Sequence, residues 1–239
     1  MGLRKKVKRW LGTGNKPTPE QRFPGCASDK KIDWRWRDTP FNRLAAVNQC
    51  VRMIARPEVR YLEIGCDDDV LFFSVCAEYK TGVDPARGGT HRMTSDEFFA
   101  QNEDSFDVVF IDGLHEYAQV RADAINALAV LSEGGYIAFH DLLPSDWKQQ
   151  HVPRLQASWT GDCWKAAVEL AHAEGVDFRI IRIDQGVGVM RRTGGPVHVP
   201  DMSAELAHAT FDDFAALVDN LPIIEWADFR RWSSRQTVG

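Results

Sequence analysis

Four residues that move protons or hold cations come in two pairs: Asp112 and His115 within IDGLH, and the adjacent His140-Asp141. An imidazole titrates near neutrality, so His115 or His140 can take the proton of an acceptor hydroxyl. Alternatively, Asp112 and Asp141, with or without His140, can hold Mg2+, which does the same work by lowering the hydroxyl's pKa. The imidazole would admit manganese or iron as well. A purely structural role, with His140 bonded to backbone and Asp141 capping a loop, competes with both.

A second group surrounds the turn Glu63-Ile64-Gly65-Cys66. Gly65 lets the backbone approach a ligand without a Cβ clash, and a following helix would present free N–H groups there. Asp84, nineteen residues after Gly65, can accept two hydrogen bonds from ribose hydroxyls; the competing reading makes Gly65 a plain strand-to-helix turn and Asp84 a loop cap. Ser95 and Asp96 are placed to meet an adenine, although Ser95 also suits a helix N-cap. The run Asp67-Asp68-Asp69 replaces the glycines of a dinucleotide fingerprint. Three carboxylates there would repel a pyrophosphate, which argues against NAD, FAD and ATP and for a phosphate-free, cationic adenosine compound.

For these groups to meet, strands must alternate with helices. A helical pattern opens at Pro40 and runs through Phe41, Leu44, Val47, Val51 and Ile54. Arg60 to Ile64 reads as a buried strand, Asp69 to Glu78 as a helix, Thr81 to Asp84 and Thr90 to Met93 as strands, and Ser95 to Phe99 as a short helix. Phe106 to Ile111 is the clearest strand, followed by a helix from Tyr117 to Leu131 stopped by Gly134-Gly135. A strand from Tyr136 to His140 and a helix from Cys163 to Ala173, capped by Asp162, come next. Such alternation means βαβ units and a parallel sheet covered on both faces. Its strands bring Gly65, Asp84, Asp112 and His140 to one edge. The final strands, Phe178 to Ile183 and Val187 to Met190, are separated only by Asp184-Gln185-Gly186. No crossover helix fits that gap, so they form an antiparallel hairpin. Segment 142–160, with Pro144, Trp147, His151 and Trp159, reads as a loop or lid. Its aromatics, and Trp164 and Lys165 beyond it, are candidates to line an acceptor pocket.

A mostly parallel sheet ending in an antiparallel hairpin, with helices on both faces, is the Rossmann-like α/β fold of class I methyltransferases. YLEIG, GVDP, TSDEFF, FDVVFIDGLHEYAQVRAD, LSEGGYIAFHD and GDCWKAAVEL resemble the bacterial group called methyltransferase family 24, over about residues 58–192. The resemblance implies S-adenosylmethionine as methyl donor, with Glu63, Gly65, Asp84 and Asp112 near it. It also implies O-methylation of a small-molecule or glycan acceptor. The family usually has a second glycine where this chain has Asp69. That departure supports an alternative, a catalytically silent protein that keeps the fold. An NAD-dependent oxidoreductase conflicts with the acidic turn and the hairpin.

The totals set the remaining expectations. The 239 residues divide into a basic segment and linker (1–39), the enzyme domain (40–195) and a helical extension (196–239) that covers the core or forms a homo-oligomer contact. A net charge of −5 argues against a nucleic-acid binder. Five cysteines without a CxxC pair suit reduced thiols in a cytoplasm. No membrane span or secretory signal is read. Residues 1–12 carry Leu3, Val7, Trp10 and Leu11 on one helical face among five basic residues, which suits either a solvated, frayed terminus or weak contact with an anionic membrane.

Overall fold

The computed structural model describes residues 16–234, so the basic segment 1–12 lies outside the described residues. One seven-stranded sheet has the order β2-β1-β3-β4-β6-β5-β7. Its strands are β1 (Arg60–Ile64), β2 (Tyr79–Val83), β3 (Phe106–Ile111), β4 (Leu131–Phe139), β5 (Val176–Ile181), β6 (Val187–Arg192) and β7 (Ile223–Ile224). Only β6 runs antiparallel to its neighbours, β4 and β5, as the short Asp184–Gly186 connection requires. Topology and hairpin are those expected of a class I methyltransferase sheet.

The helices are α1 (Pro19–Arg22), α2 (Arg43–Met53), α3 (Val70–Ser74), α4 (Ser95–Gln101), α5 (Tyr117–Val130), α6 (Trp147–Gln150), α7 (Trp164–Ala171), α8 (Ser203–Leu206), α9 (Phe211–Leu217) and α10 (Trp226–Ser234). Strand β3 (FDVVFI) and the 135–139 part of β4 are buried without a break because both sheet faces are covered there. Successive residues point to opposite sides. Leu62, Ile64, Val109, Ile111, Ile137 and Phe139 pack in the core that α5, α7 and α9 cover. Tyr61, Val108, Phe110, Tyr136 and Ala138 pack in the other, with α2 and α10. Trp34, Phe211 and Phe214 join the first core and Phe229 the second, so segments before and after the central sheet close its two faces.

Several local expectations shift. Helix α2 starts at Arg43 because Asn42 caps it, and Phe41 instead stacks on Trp226 at 4.5 Å. Helix α3 stops at Ser74 rather than Glu78; the N–H of Cys76 is drawn off to Asn48 Oδ1 at 2.7 Å. No strand forms over Thr90–Met93: the N–H groups of Thr90 and His91 both donate to Gly82 O, leaving a single bridge between Val83 and His91. Thr94, not Ser95, caps α4, in a box with Glu97. Helix α5 ends at Val130, before the Gly134-Gly135 pair. Those glycines sit inside β4, where pairing jumps from Phe106–Leu131 to Val108–Tyr136 and Gly134 takes φ +73°. Cys163 stands at the N-terminus of α7. Asp162 instead caps α5, accepting from Tyr117 N at 2.7 Å.

All five cysteines are free thiols. No helix among the described residues is long and apolar enough to cross a membrane.

Candidate active site

The turn after β1 is folded back by left-handed residues: Gly65 (φ +88°), Asp67 (+45°) and Asp69 (+64°). Gly65 is required by its neighbour rather than by a ligand alone: a Cβ there would lie 2.2 Å from Asp112 O. That contact sets the β1 turn directly against the end of β3. At Asp69 the chain needs the conformation glycine adopts most easily, and aspartate is one of the side chains that tolerates it. Its Oδ1 accepts from Gly89 N at 2.6 Å, which ties the turn to the loop after β2. The position where the sequence leads one to expect a glycine is thus met by an aspartate that adds a cross-link.

Asp84 is buried and committed to the same loop. Its Oδ1 accepts from Ala86 N and Arg87 N (2.7 and 2.9 Å), and its Oδ2 from Asp67 N at 3.1 Å. Burial opposes its charge, but these N–H groups, helped by Arg92, hold the carboxyl below its ordinary range. Ile64 belongs to the core, and the buried Cys66 thiol lies 3.7 Å from Glu63 O. Glu63 is buried and accepts from Tyr61 OH at 2.5 Å. Burial lifts its carboxyl to about 7 against the pull of that hydroxyl, with Asp112 and Asp69 adding to the rise.

Ser95 and Asp96 form a separate polar cluster. Gln119 Nε2 donates at 3.1 Å to Ser95 Oγ, Asp96 Oδ1 and the fully buried Asp123. Gly113 stands between this cluster and the β1 turn: a Cβ on it would lie 3.2 Å from Ile64 and 3.9 Å from Asp123 Oδ2.

The two acid–imidazole pairs meet as the sheet topology predicts. Asp112 Oδ1 lies 3.3 Å from His115 Nε2 and 3.2 Å from His140 Nδ1. Asp141 Oδ2 lies 3.1 Å from His115 Nδ1 and 3.3 Å from His140 Nδ1. Burial opposes the charge on both imidazoles, but the carboxylates outweigh it: Asp141 then Asp112 around His140, and the Asp112 hydrogen bond then Asp141 around His115. Both stand above the ordinary imidazole range, His140 well above. Asp112 is held low in turn, because His140 and His115 overcome its own burial.

The two histidines differ in access. The His140 side chain is 4% exposed and that of His115 20%. His115 stacks on Trp159 at 5.3 Å, and its Nδ1 also lies 3.2 Å from Trp159 O. Gly161, at φ +57°, packs where any Cβ would strike His115 O. Segment 142–160 is therefore a packed wall, with Trp147 and His151 buried and only Trp159 of its tryptophans reaching the centre among the contacts described. Trp164 and Lys165 turn away: Trp164 donates to Gln150 Oε1 and Lys165 pairs with Asp162.

Asp141 takes φ +62°, a strained conformation, and its buried Oδ1 has no hydrogen-bond partner. One donor atom each from Asp112, His115 and Asp141 lie within 4.8 Å of one another. Two carboxylates, one imidazole and an orphaned oxygen fit a divalent cation. The geometry adds His115, rather than His140, to Asp112 and Asp141.

Two residues of this centre come from outside the motifs. Asp184 in the β5–β6 turn places Oδ2 3.6 Å from His140 Nε2. The same oxygen accepts from Arg43 N (2.9 Å) and Arg43 Nη1 (3.1 Å). Arg43 Nε lies 3.7 Å from Asp112 Oδ2. The hairpin turn supplied the signal for Asp184, three residues too short for anything but a tight loop. Nothing local marks Arg43.

Residues 62–142, about a third of the chain, match the family model described as a methyltransferase domain, Methyltransf_24. No curated protein matches the sequence. Similar solved structures include the S-adenosylhomocysteine-bound methyltransferase PaMTH1 of Podospora anserina (15% identity, TM-score 0.45, covering 75% of this chain and 98% of that one). Another is the O-methyltransferase TomG of Streptomyces achromogenes with S-adenosylmethionine (14%, 0.46, 67% and 86%). A third is the amino pentose methyltransferase CalS10 of Micromonospora echinaspora (16%, 0.42, 70% and 100%).

Proposed function

From a chain that carries a methyltransferase domain of the family 24 type over residues 62–142, we propose an S-adenosylmethionine-dependent O-methyltransferase acting on a hydroxyl of a small or sugar-like acceptor. The observation that carries this reading is the convergence of Asp112, His115, His140 and Asp141 directly beside the Gly65 turn. The turn offers carboxylates rather than a cradle of N–H groups, which suits a cofactor with a sulfonium and an ammonium and no phosphate.

When bound, S-adenosylmethionine supplies an electrophilic methyl group. The chain's own residues must orient the acceptor hydroxyl and take its proton. His140 is enclosed, with carboxylates facing both ring nitrogens. It serves as a fixed positive partner for Asp112 and Asp141. His115 is the more open imidazole and the base, with Asp112 and Asp141 stabilising the imidazolium that forms. Trp159 walls the opposite ring face and helps to exclude water. A second reading follows from the orphaned Asp141 oxygen: Asp112, His115 and Asp141 would hold a divalent cation that lowers the acceptor's pKa. In that form His115 is a ligand rather than the base.

Calorimetric titration with S-adenosylhomocysteine tests the cofactor. Saturable binding is expected; no binding at millimolar concentration, with NAD bound instead, would refute the proposal. Against a panel of sugar and small aromatic hydroxyls, turnover should rise with pH through a midpoint above the ordinary imidazole value. It should fall at least about a hundredfold in His115→Ala, the scale of general-base catalysis. Loss of turnover in EDTA, restored by Mg2+, selects the metal-bearing form. Cofactor binding with no turnover of any acceptor would favour the silent binding protein.

A further inference from the structure

Asp112 is the one acid of the centre whose two oxygens are both engaged by cationic side chains. Its Oδ1 faces His115 and His140, while its Oδ2 faces the Arg43 guanidinium at 3.7 Å. Arg43 does not reach there by chance of a loose surface side chain. It is the first residue of α2, and its backbone N–H and Nη1 both donate to Asp184 Oδ2, at 2.9 and 3.1 Å. Asp184 is itself set by a tight turn in which Asp184, Gln185 and Gly186 all take positive φ. Gln185 O and Gly186 O hold the chain just after Asp141, through Leu143 N and Leu142 N. The guanidinium is therefore anchored from both the helix and the hairpin, beside the donor atoms that fit a divalent cation. The charged groups around it are Asp112, Asp141, Asp184 and the buried Glu63 against His115, His140 and Arg43 itself.

We propose that Arg43 is a resident cation of this centre that competes with a divalent metal ion for Asp112, and so sets the affinity of the site for metal. The inference rests on the metal-bearing form of the reading above. A metal held by Asp112, His115 and Asp141 would be a near neighbour of a fixed positive charge, and repulsion at that range weakens binding unless the guanidinium withdraws. The backbone hydrogen bond from residue 43 to Asp184 survives loss of the side chain, so α2 keeps its attachment when Arg43 is replaced.

The test is titration of the full chain with Mn2+ alone, followed by electron paramagnetic resonance of the free ion, with no cofactor or acceptor present. Arg43→Met and Arg43→Gln should each bind Mn2+ about tenfold to a hundredfold more tightly than the wild type, from removal of one nearby positive charge. Arg43→Lys, which keeps the charge, should stay close to wild type, and Asp141→Asn should abolish the tight binding gained in Arg43→Gln. Thermal melts confirm that each variant is folded, and Arg43→Gln stands in where Arg43→Met is not. Mn2+ affinity unchanged by both neutral variants, or no binding at millimolar Mn2+ in any of them, overturns the proposal. S-adenosylhomocysteine titration of the same preparations is read separately. Its failure would sink the cofactor assignment while leaving the metal result standing.

Discussion

Replacing Asp123 by asparagine should stabilise the protein at alkaline pH and leave it unchanged at acid pH. Asp123 is fully buried, its Oδ1 accepts from Gln119 and its Oδ2 has no partner. Burial pushes its carboxyl from the ordinary 3.8 up to about 6, with Ser95 and Gln119 pulling it back and Asp96 adding to the rise. The folded protein thus holds this proton more tightly than the unfolded chain does. The stabilisation linked to the proton is fully present below pH 3.8 and is lost as pH rises through 6. The difference between those two values corresponds to about 3 kcal/mol, an upper figure because a buried carboxylate relaxes its surroundings. Asparagine matches the shape and cannot ionise. The difference in unfolding free energy between Asp123→Asn and wild type should therefore grow from near zero at about pH 4 to about 2–3 kcal/mol at about pH 8. Urea unfolding of both proteins at a series of pH values measures it, since every other titrating group cancels in the comparison. An offset that stays constant across the series would refute the reasoning.

Gly65→Ala should cost about 3 kcal/mol, the sum of a left-handed alanine and an overpacked contact with Asp112 O; urea unfolding measures the cost, and calorimetry should show S-adenosylhomocysteine affinity lost with it. Glu63 carries a carboxyl that burial raises to about 7, so S-adenosylhomocysteine, with its ammonium, should bind more tightly as pH rises through that value. Glu63→Gln should flatten the dependence in the same calorimetric series. Deleting residues 196–239 strips Phe211, Phe214 and Phe229, all fully buried. At about 2–3 kcal/mol each, their loss consumes most of a typical net stability of about 5–15 kcal/mol. Expression should give insoluble protein, checked by the soluble fraction and by circular dichroism.

Much of the architecture follows from local pattern. FDVVFI and YIAF are buried strands by composition and length alone, and the three residues Asp184-Gln185-Gly186 leave only a hairpin between the last long strands. Once the strands are ordered, IDGLH and His140-Asp141 must share an edge, and the structure puts their side chains within hydrogen-bonding reach. Helix ends were less legible. Asp162 looks like the cap of its own helix but caps α5, because the donor it meets, Tyr117 N, is brought to it by packing rather than by sequence. The strand expected over Thr90–Met93 fails for a related reason: one carbonyl, Gly82 O, takes two N–H groups that a strand would have spread along β2.

For the acid–imidazole centre, sequence alone determined which chemistry was on offer and at which edge of the sheet it would gather, because alternating strands and helices make a parallel sheet whose strands end at one edge. It did not determine which imidazole is open, since His115 and His140 are equal in sequence and differ in how Trp159, Gly161 and Asp184 pack against them. Nor did it place Arg43, which belongs to a helix before the first strand and joins the centre through Asp184, a residue of the last hairpin. Contacts of that kind depend on how distant elements dock. Only the tertiary structure decides them, because neither residue carries any local sign of the other.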